Sequence, residues 1–296
     1  MKKSLAVGLI TASACMTLLG TTNASAHVYW AEPNEFYFYN HDNELEKHVA
    51  KNLTFEFTGG DSYFNADVNR AKGNEENYRF RILDQNKQDV AIDDAWQGKN
   101  RAVFETKLTQ PGTYVLEAIR TGTPMYYTKL TNGEYLPKSA DQLTPEEQKE
   151  KAESVGYYQS TKSYVTLYQS TDTWNKALGH PLEIIPLSHP DKVYVGDTFK
   201  VKLVYDGKPV AHTKIKWLAE NYRFQEPGEK PETVTTNADG VASFTFPDAD
   251  RYLLVTEHQV PLEKNPKAEK LSYNASLMLQ VEQPWVKSWE KSAPAH

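Results

Sequence analysis

Cysteine is almost missing from this sequence: Cys15 is the single one in 296 residues. A chain so poor in thiols has no disulfide framework and no cysteine-built metal centre. A basic excess is missing too. Lys and Arg number 33 against 39 Asp and Glu, a formal charge of -6, which argues against the basic footprint of a nucleic-acid binder. Beyond residue 26 no stretch approaches the about 18 continuous apolar residues of a membrane helix. Gly 15 and Pro 16 are too few and too scattered for a collagen-like or low-complexity chain. Also missing are GxGxxG, the P-loop, HExxH, GxSxG and the spacing of a calcium loop. What remains is 39% hydrophobic and 12% aromatic, with 18 tyrosines. That is enough for packed cores, and tyrosine favours strands.

The first residues read as an address. Lys2 and Lys3 precede a run from Ser4 to Gly20 that is apolar or small, and Ala24-Ser25-Ala26 is a small-residue cleavage site. The run is short and poor for a membrane span. Ala12-Ser13-Ala14-Cys15 only vaguely resembles a lipoprotein box, since Ala stands where Leu is expected. A leader over 1–26 implies a periplasmic product. Removing 26 of 296 residues leaves 270, without two of the 33 basic residues and without Cys15, so the mature charge is -8. Cleavage also makes His27 the first residue.

The mature chain reads as all-β, with two immunoglobulin-like β-sandwich domains and a short helical insertion in the first. Alternation of apolar and polar residues predicts strands at 53–57, 78–83, 102–108, 113–119 and 157–168. Within a long insertion from Pro124 to Gly156, 143–154 predicts a helix: Thr144 caps, Pro145 fills the first turn, and Glu146 and Glu147 suit its positive end. Gly179, Pro181, Pro186 and Pro190 then mark a boundary near residue 175. Further strands are expected at 182–186, 198–205, 213–218, 233–236, 242–246, 252–256 and 271–281, with Asp206-Gly207 and Asp239-Gly240 as turns. The expected domains are 27–174 and 175–283, followed by a tail, 284–296.

A terminal histidine can chelate a metal ion through its α-amine and ring Nδ1, whose reference pKa values of about 7.7–8.0 and about 6.5 leave both donors accessible near neutrality. Val28-Tyr29-Trp30 reads as a strand start that anchors it, and Pro33 as its stop. His41 lies among carboxylates and amides in 39–48. His258 follows a predicted strand, beside Glu257. His27, His41 and His258 are therefore the candidate metal ligands. His48 reads as a solvated loop residue, His180 and His189 as linker residues, and His212 as a turn neighbour. Tyr126-Tyr127 and Tyr157-Tyr158 offer a carbohydrate platform or, more plainly, strand surface.

The opening Ala26-His27-Val28-Tyr29-Trp30-Ala31-Glu32-Pro33 resembles the A-H-x-x-W-x-x-P start of a family of exported bacterial proteins. That family includes the periplasmic accessory proteins encoded with energy-coupling nickel and cobalt importers. Tyr39-Asn40-His41 resembles its y-G-H element, with Asn40 in place of Gly, and Gly179-His180-Pro181-Leu182-Glu183-Ile184-Ile185-Pro186 resembles its junction. Asp206-Gly207-Lys208-Pro209-Val210 and Asn237-Ala238-Asp239-Gly240 are similar to its second half. The resemblance implies a metal-binding role without catalysis, and it carries over His27 and His41; His258 comes from the residues alone. The expected ion is nickel or cobalt, with zinc and copper also compatible. The expected recipient is a membrane importer or an outer-membrane receptor. Two rival readings stand beside it: a copper enzyme that oxidises polysaccharide through a terminal-histidine brace, and a metal-free adhesion or chaperone module.

Overall fold

In the computed structural model the described residues are 28–60, 63–64, 66, 77–172, 174–224 and 231–284. The expected leader and His27 lie outside them, as does the tail from 285 onward. The first part of the chain forms β1 (Val28–Pro33), β2 (Tyr37–Phe38), β3 (Lys51–Gly60), β4 (Tyr78–Leu83), β5 (Asp89–Val90), β6 (Asp94–Gln97), β7 (Arg101–Leu108) and β8 (Gly112–Arg120). Then come β9 (Met125–Leu130), β10 (Tyr135–Leu136), a one-turn helix α1 (Pro145–Lys149) and the long β11 (Lys151–Leu167). The second part holds β12 (Leu182–Pro186), β13 (Thr198–Tyr205), β14 (Lys208–Pro209), β15 (Lys214–Ala219), β16 (Glu232–Thr235), β17 (Val241–Thr245), β18 (Asp250–Pro261) and β19 (Lys270–Val281). The protein is an all-β sandwich protein, as its alternation predicts. In β7, Ala102, Phe104, Thr106 and Leu108 are buried while Glu105 and Lys107 face water, the period of two that puts successive side chains on opposite faces.

Three sheets result. One has the order β1-β3-β7-β6, a second joins β12, β13, β14 and β17, and between them runs an eleven-stranded sheet, β16-β15-β18-β19-β11-β8-β4-β5, with β2, β9 and β10 attached. The first sheet covers one face of the central sheet. Phe55, Phe57 and Phe104 meet Ile82, Leu116 and Val165 there. The third sheet covers the opposite face at the other end, where Phe199, Phe244 and Phe246 meet Trp217, Leu254 and Leu277. Each such buried side chain contributes about 1.5–3 kcal/mol of transfer free energy.

β11 joins the halves. Along one side it pairs antiparallel with β9 and then β8, and along the other it pairs parallel with β19 from Val155↔Lys270 to Ser163↔Met278. A boundary is expected near residue 175, yet one hydrogen-bonded sheet holds strands from before and after it. Alternate residues of β11 serve different cores: Val165 and Leu167 face the first, and Tyr164 faces the second. From Thr161 to Leu167 every residue is therefore buried.

The predicted helix is present but shorter. Thr144 Oγ1 accepts from the Glu147 amide at 3.2 Å, and Glu147 returns a bond to the Thr144 amide at 2.8 Å, a complete capping box. No residue of α1 is buried, so little holds the helix beyond its cap. From Lys151 the chain is strand instead, because pairing with β9 and β19 satisfies its backbone. Ser154 adds a buried 2.6 Å contact to Thr128 Oγ1. The Asp206-Gly207 turn has φ of 46° and 74°, the doubly left-handed backbone of a tight hairpin.

Candidate functional site

β1 begins one residue after His27 and is held from three directions. Its backbone pairs with β3 from Val28↔Gly60 to Pro33↔Phe55. Its carbonyls take side-chain donors from the central sheet: Ser276 Oγ donates to Tyr29 O at 2.6 Å, and Ser163 Oγ donates to Ala31 O. Its side chains split between two cores. Tyr29 stacks on Phe57 at 5.6 Å, while Val28 and Trp30 pack with Phe36, Phe64, Leu253 and Met278. Val28 is only 3% exposed. The close approach to β3 depends on Gly59, where a Cβ would lie 2.8 Å from the Tyr29 ring and 2.9 Å from the Val28 carbonyl.

The other two candidate ligands sit on different elements. His41 is exposed in the segment after β2, its ring 6.2 Å from that of Tyr39. His258 is half-buried on β18, opposite Tyr273, with its ring 4.6 Å from Tyr205. Among the described residues no group of three or more His, Cys, Asp or Glu is arranged to hold a metal ion, so His41 and His258 do not meet in such a group there. His48 is exposed, as expected of a solvated loop residue.

A different cluster is brought together at the junction. Lys162 Nζ on β11 lies 2.8 Å from Glu183 Oε1 on β12, with the side chains 2% and 1% exposed. Glu183 also accepts from the Leu178 amide at 2.8 Å and the Gly179 amide at 3.2 Å. One strand over, Glu117 on β8 accepts from Arg81 Nη2 at 2.8 Å and Arg79 Nη2 at 3.0 Å, and His180 Nε2 lies 2.9 Å from it. Burial works to raise the Glu117 pKa, but His180 and Arg81 outweigh it and bring it down to about 2. Burial likewise opposes charge on Glu183, and Lys162 with His180 and the Leu178 amide still holds its carboxyl below the usual range.

These charges face one another and tie together β8, β11, β12 and the coil before β12. They pin 178–183 to the central sheet. Sequence reasoning places His180 in a linker; it does lie in the coil before β12, and there it is buried. A usable signal was present: Glu183 interrupts the apolar run Leu182–Pro186, and a charge within a buried strand calls for an internal partner.

The tyrosine pairs do not form one platform. Tyr157 and Tyr158 are consecutive on β11 and so point to opposite faces. Tyr157 meets Tyr127 edge-on at 6.0 Å, and Tyr158 stacks on Tyr273 at 5.3 Å.

A family model described as "Domain of unknown function (DUF4198)" matches residues 24–260. No curated protein matches the chain. Among solved structures it is similar to the D0-D1 domain of Intimin, at 12% identity over 86% of this chain and 99% of that one, with a TM-score of 0.23. It is also similar to an ICAM-5 D1-D4 ectodomain fragment, at 10% identity over 86% of this chain and 51% of that one, with a TM-score of 0.21.

Proposed function

The chain belongs to the DUF4198 family, and from that premise we propose that it is an exported, periplasmic protein that binds a divalent transition metal, nickel or cobalt, and assists its uptake. The ion is cargo. After cleavage behind Ala26, the α-amine and ring Nδ1 of His27 close a six-membered chelate on it. His41 and His258 are the further ligand candidates, and an importer or receptor takes the ion on.

One observation carries the reading. The strand that starts at Val28 is buried, paired with Gly60 and bonded to Ser276 and Ser163. A ligand joined directly to a fixed strand has a lower ordering cost of binding than one at the end of a free chain. The resemblance of the opening motif adds the choice of metal. No catalytic base is required.

Calorimetric titration of nickel and cobalt into correctly processed protein tests this, against a version carrying one extra residue before His27. The extension removes the primary amine from the chelate, so affinity falls for both ions. Equal affinity in the two proteins would remove the terminal chelate.

A further inference from the structure

A cavity of about 340 Å³ lies in the angle between the first sheet and the second half of the central sheet. One wall comes from β1, β3 and β7, which supply Glu32, Glu56 and Arg101. The other comes from β18 and the turn after β15, which supply Arg251 and Glu220. The wall charges are ordered. Arg251 Nη1 bonds Glu32 and lies 3.6 Å from Glu220, while Arg101 Nη1 lies 2.8 Å from Glu56. Trp30 and Phe64, their rings 5.9 Å apart, form an apolar end.

The chemistry of the wall limits the ligand. Among the described residues of the wall, three carboxylates against two guanidiniums leave one negative charge in excess. A dianion would meet three like charges. A bare metal ion is too small, and these carboxylates do not form a group that could hold one among the described residues. A ligand with both signs can give its carboxylate to a guanidinium and its ammonium to the glutamates, so no wall charge loses its partner. A second ammonium or guanidinium on the ligand balances the excess, and its methylenes or planar head can lie against the aromatic end. Burial of Glu32 works in the same direction: it raises that carboxyl's pKa more than Arg251 lowers it, and a cation nearby relieves the strain on the charged form.

We propose that this cleft binds a cationic amino acid, a zwitterion of net charge +1 with the size of lysine or arginine, about ten to twelve non-hydrogen atoms. The site joins both sandwiches, and it is independent of the histidines.

Titration of the full-length chain in the presence of EDTA tests it, with L-lysine, L-arginine, putrescine and glutarate as probes. Saturable binding of lysine or arginine is expected. Putrescine, which lacks the carboxylate, binds about tenfold more weakly, and glutarate does not bind. Arg101→Gln weakens lysine binding about tenfold and does not weaken putrescine, whereas Glu56→Gln weakens both. Both side chains are partly exposed, 41% and 34%, so the variants are expected to fold; the four probes on the unaltered chain stand without them. Silence with all probes, putrescine as tight as lysine, or binding of glutarate overturns the proposal.

Discussion

Lys162 and Glu183 meet at 2.8 Å across the junction of the two sandwiches, both almost wholly out of water. They stand 21 residues apart in sequence, one on the strand shared by both cores and one on the first strand of the second sandwich. Removing either leaves a buried charge without its ion-pair partner, which costs about 3–5 kcal/mol. Replacing both by apolar residues of similar volume removes that penalty. Urea unfolding of Lys162→Met, Glu183→Leu and the double variant is expected to show two strongly destabilised single variants and a double variant close to the parent. Additive losses would show that the pair is not coupled.

Glu117 gives the junction a defined acid limb. Its folded pKa of about 2 lies below the ordinary 4.5. Its contribution is therefore complete above pH 4.5 and is lost as the pH falls from 4.5 towards 2. The measurement is the denaturation midpoint against pH. Glu117→Gln lowers stability at neutral pH, since it leaves Arg79, Arg81 and His180 without their carboxylate, and it flattens the curve across that window.

Gly59 sets how close β1 comes to β3. In Gly59→Ala the new methyl meets the Tyr29 ring and the Val28 carbonyl at under 3 Å, and the backbone atom cannot swing aside. Overpacking of this kind costs about 1–3 kcal/mol. Thermal unfolding is expected to show that loss. If His27 chelates the cargo ion, nickel affinity falls in the same variant, because the strand that tethers the ligand has been displaced.

Thr144 caps a helix that buries nothing. Thr144→Ala removes the bond to the Glu147 amide and costs about 0.5–2 kcal/mol locally. Hydrogen exchange at 146–149 accelerates while exchange in β11 does not, since the strand is held by its own pairing partners on both sides.

The major strands were legible because period-two alternation is a local property. LTFEF, YRFRIL and TFKVKLVY each announce one buried face, and the left-handed Asp206-Gly207 backbone follows from residue type alone. The short strands β5, β6 and β10 carry no such signal. They are two to four residues long and mostly exposed, so pairing defines them rather than pattern. The stop of the helix at Lys149 was equally hidden, because 151–154 is claimed by β9 through Lys151↔Leu130 and Ser154↔Thr128, a pairing that no helical pattern reveals.

The sequence by itself determined an all-β chain, the positions of its main strands and turns, the capped helix and an apolar strand start immediately after His27, since each depends on near neighbours. Only the tertiary structure decided that one sheet runs through both sandwiches, that His180 is buried against Glu117, and that Glu32 and Arg251 pair in the lining of a cleft. Those relationships join residues tens to hundreds of positions apart, and their free energy comes from shared burial and paired charge, which no local pattern encodes.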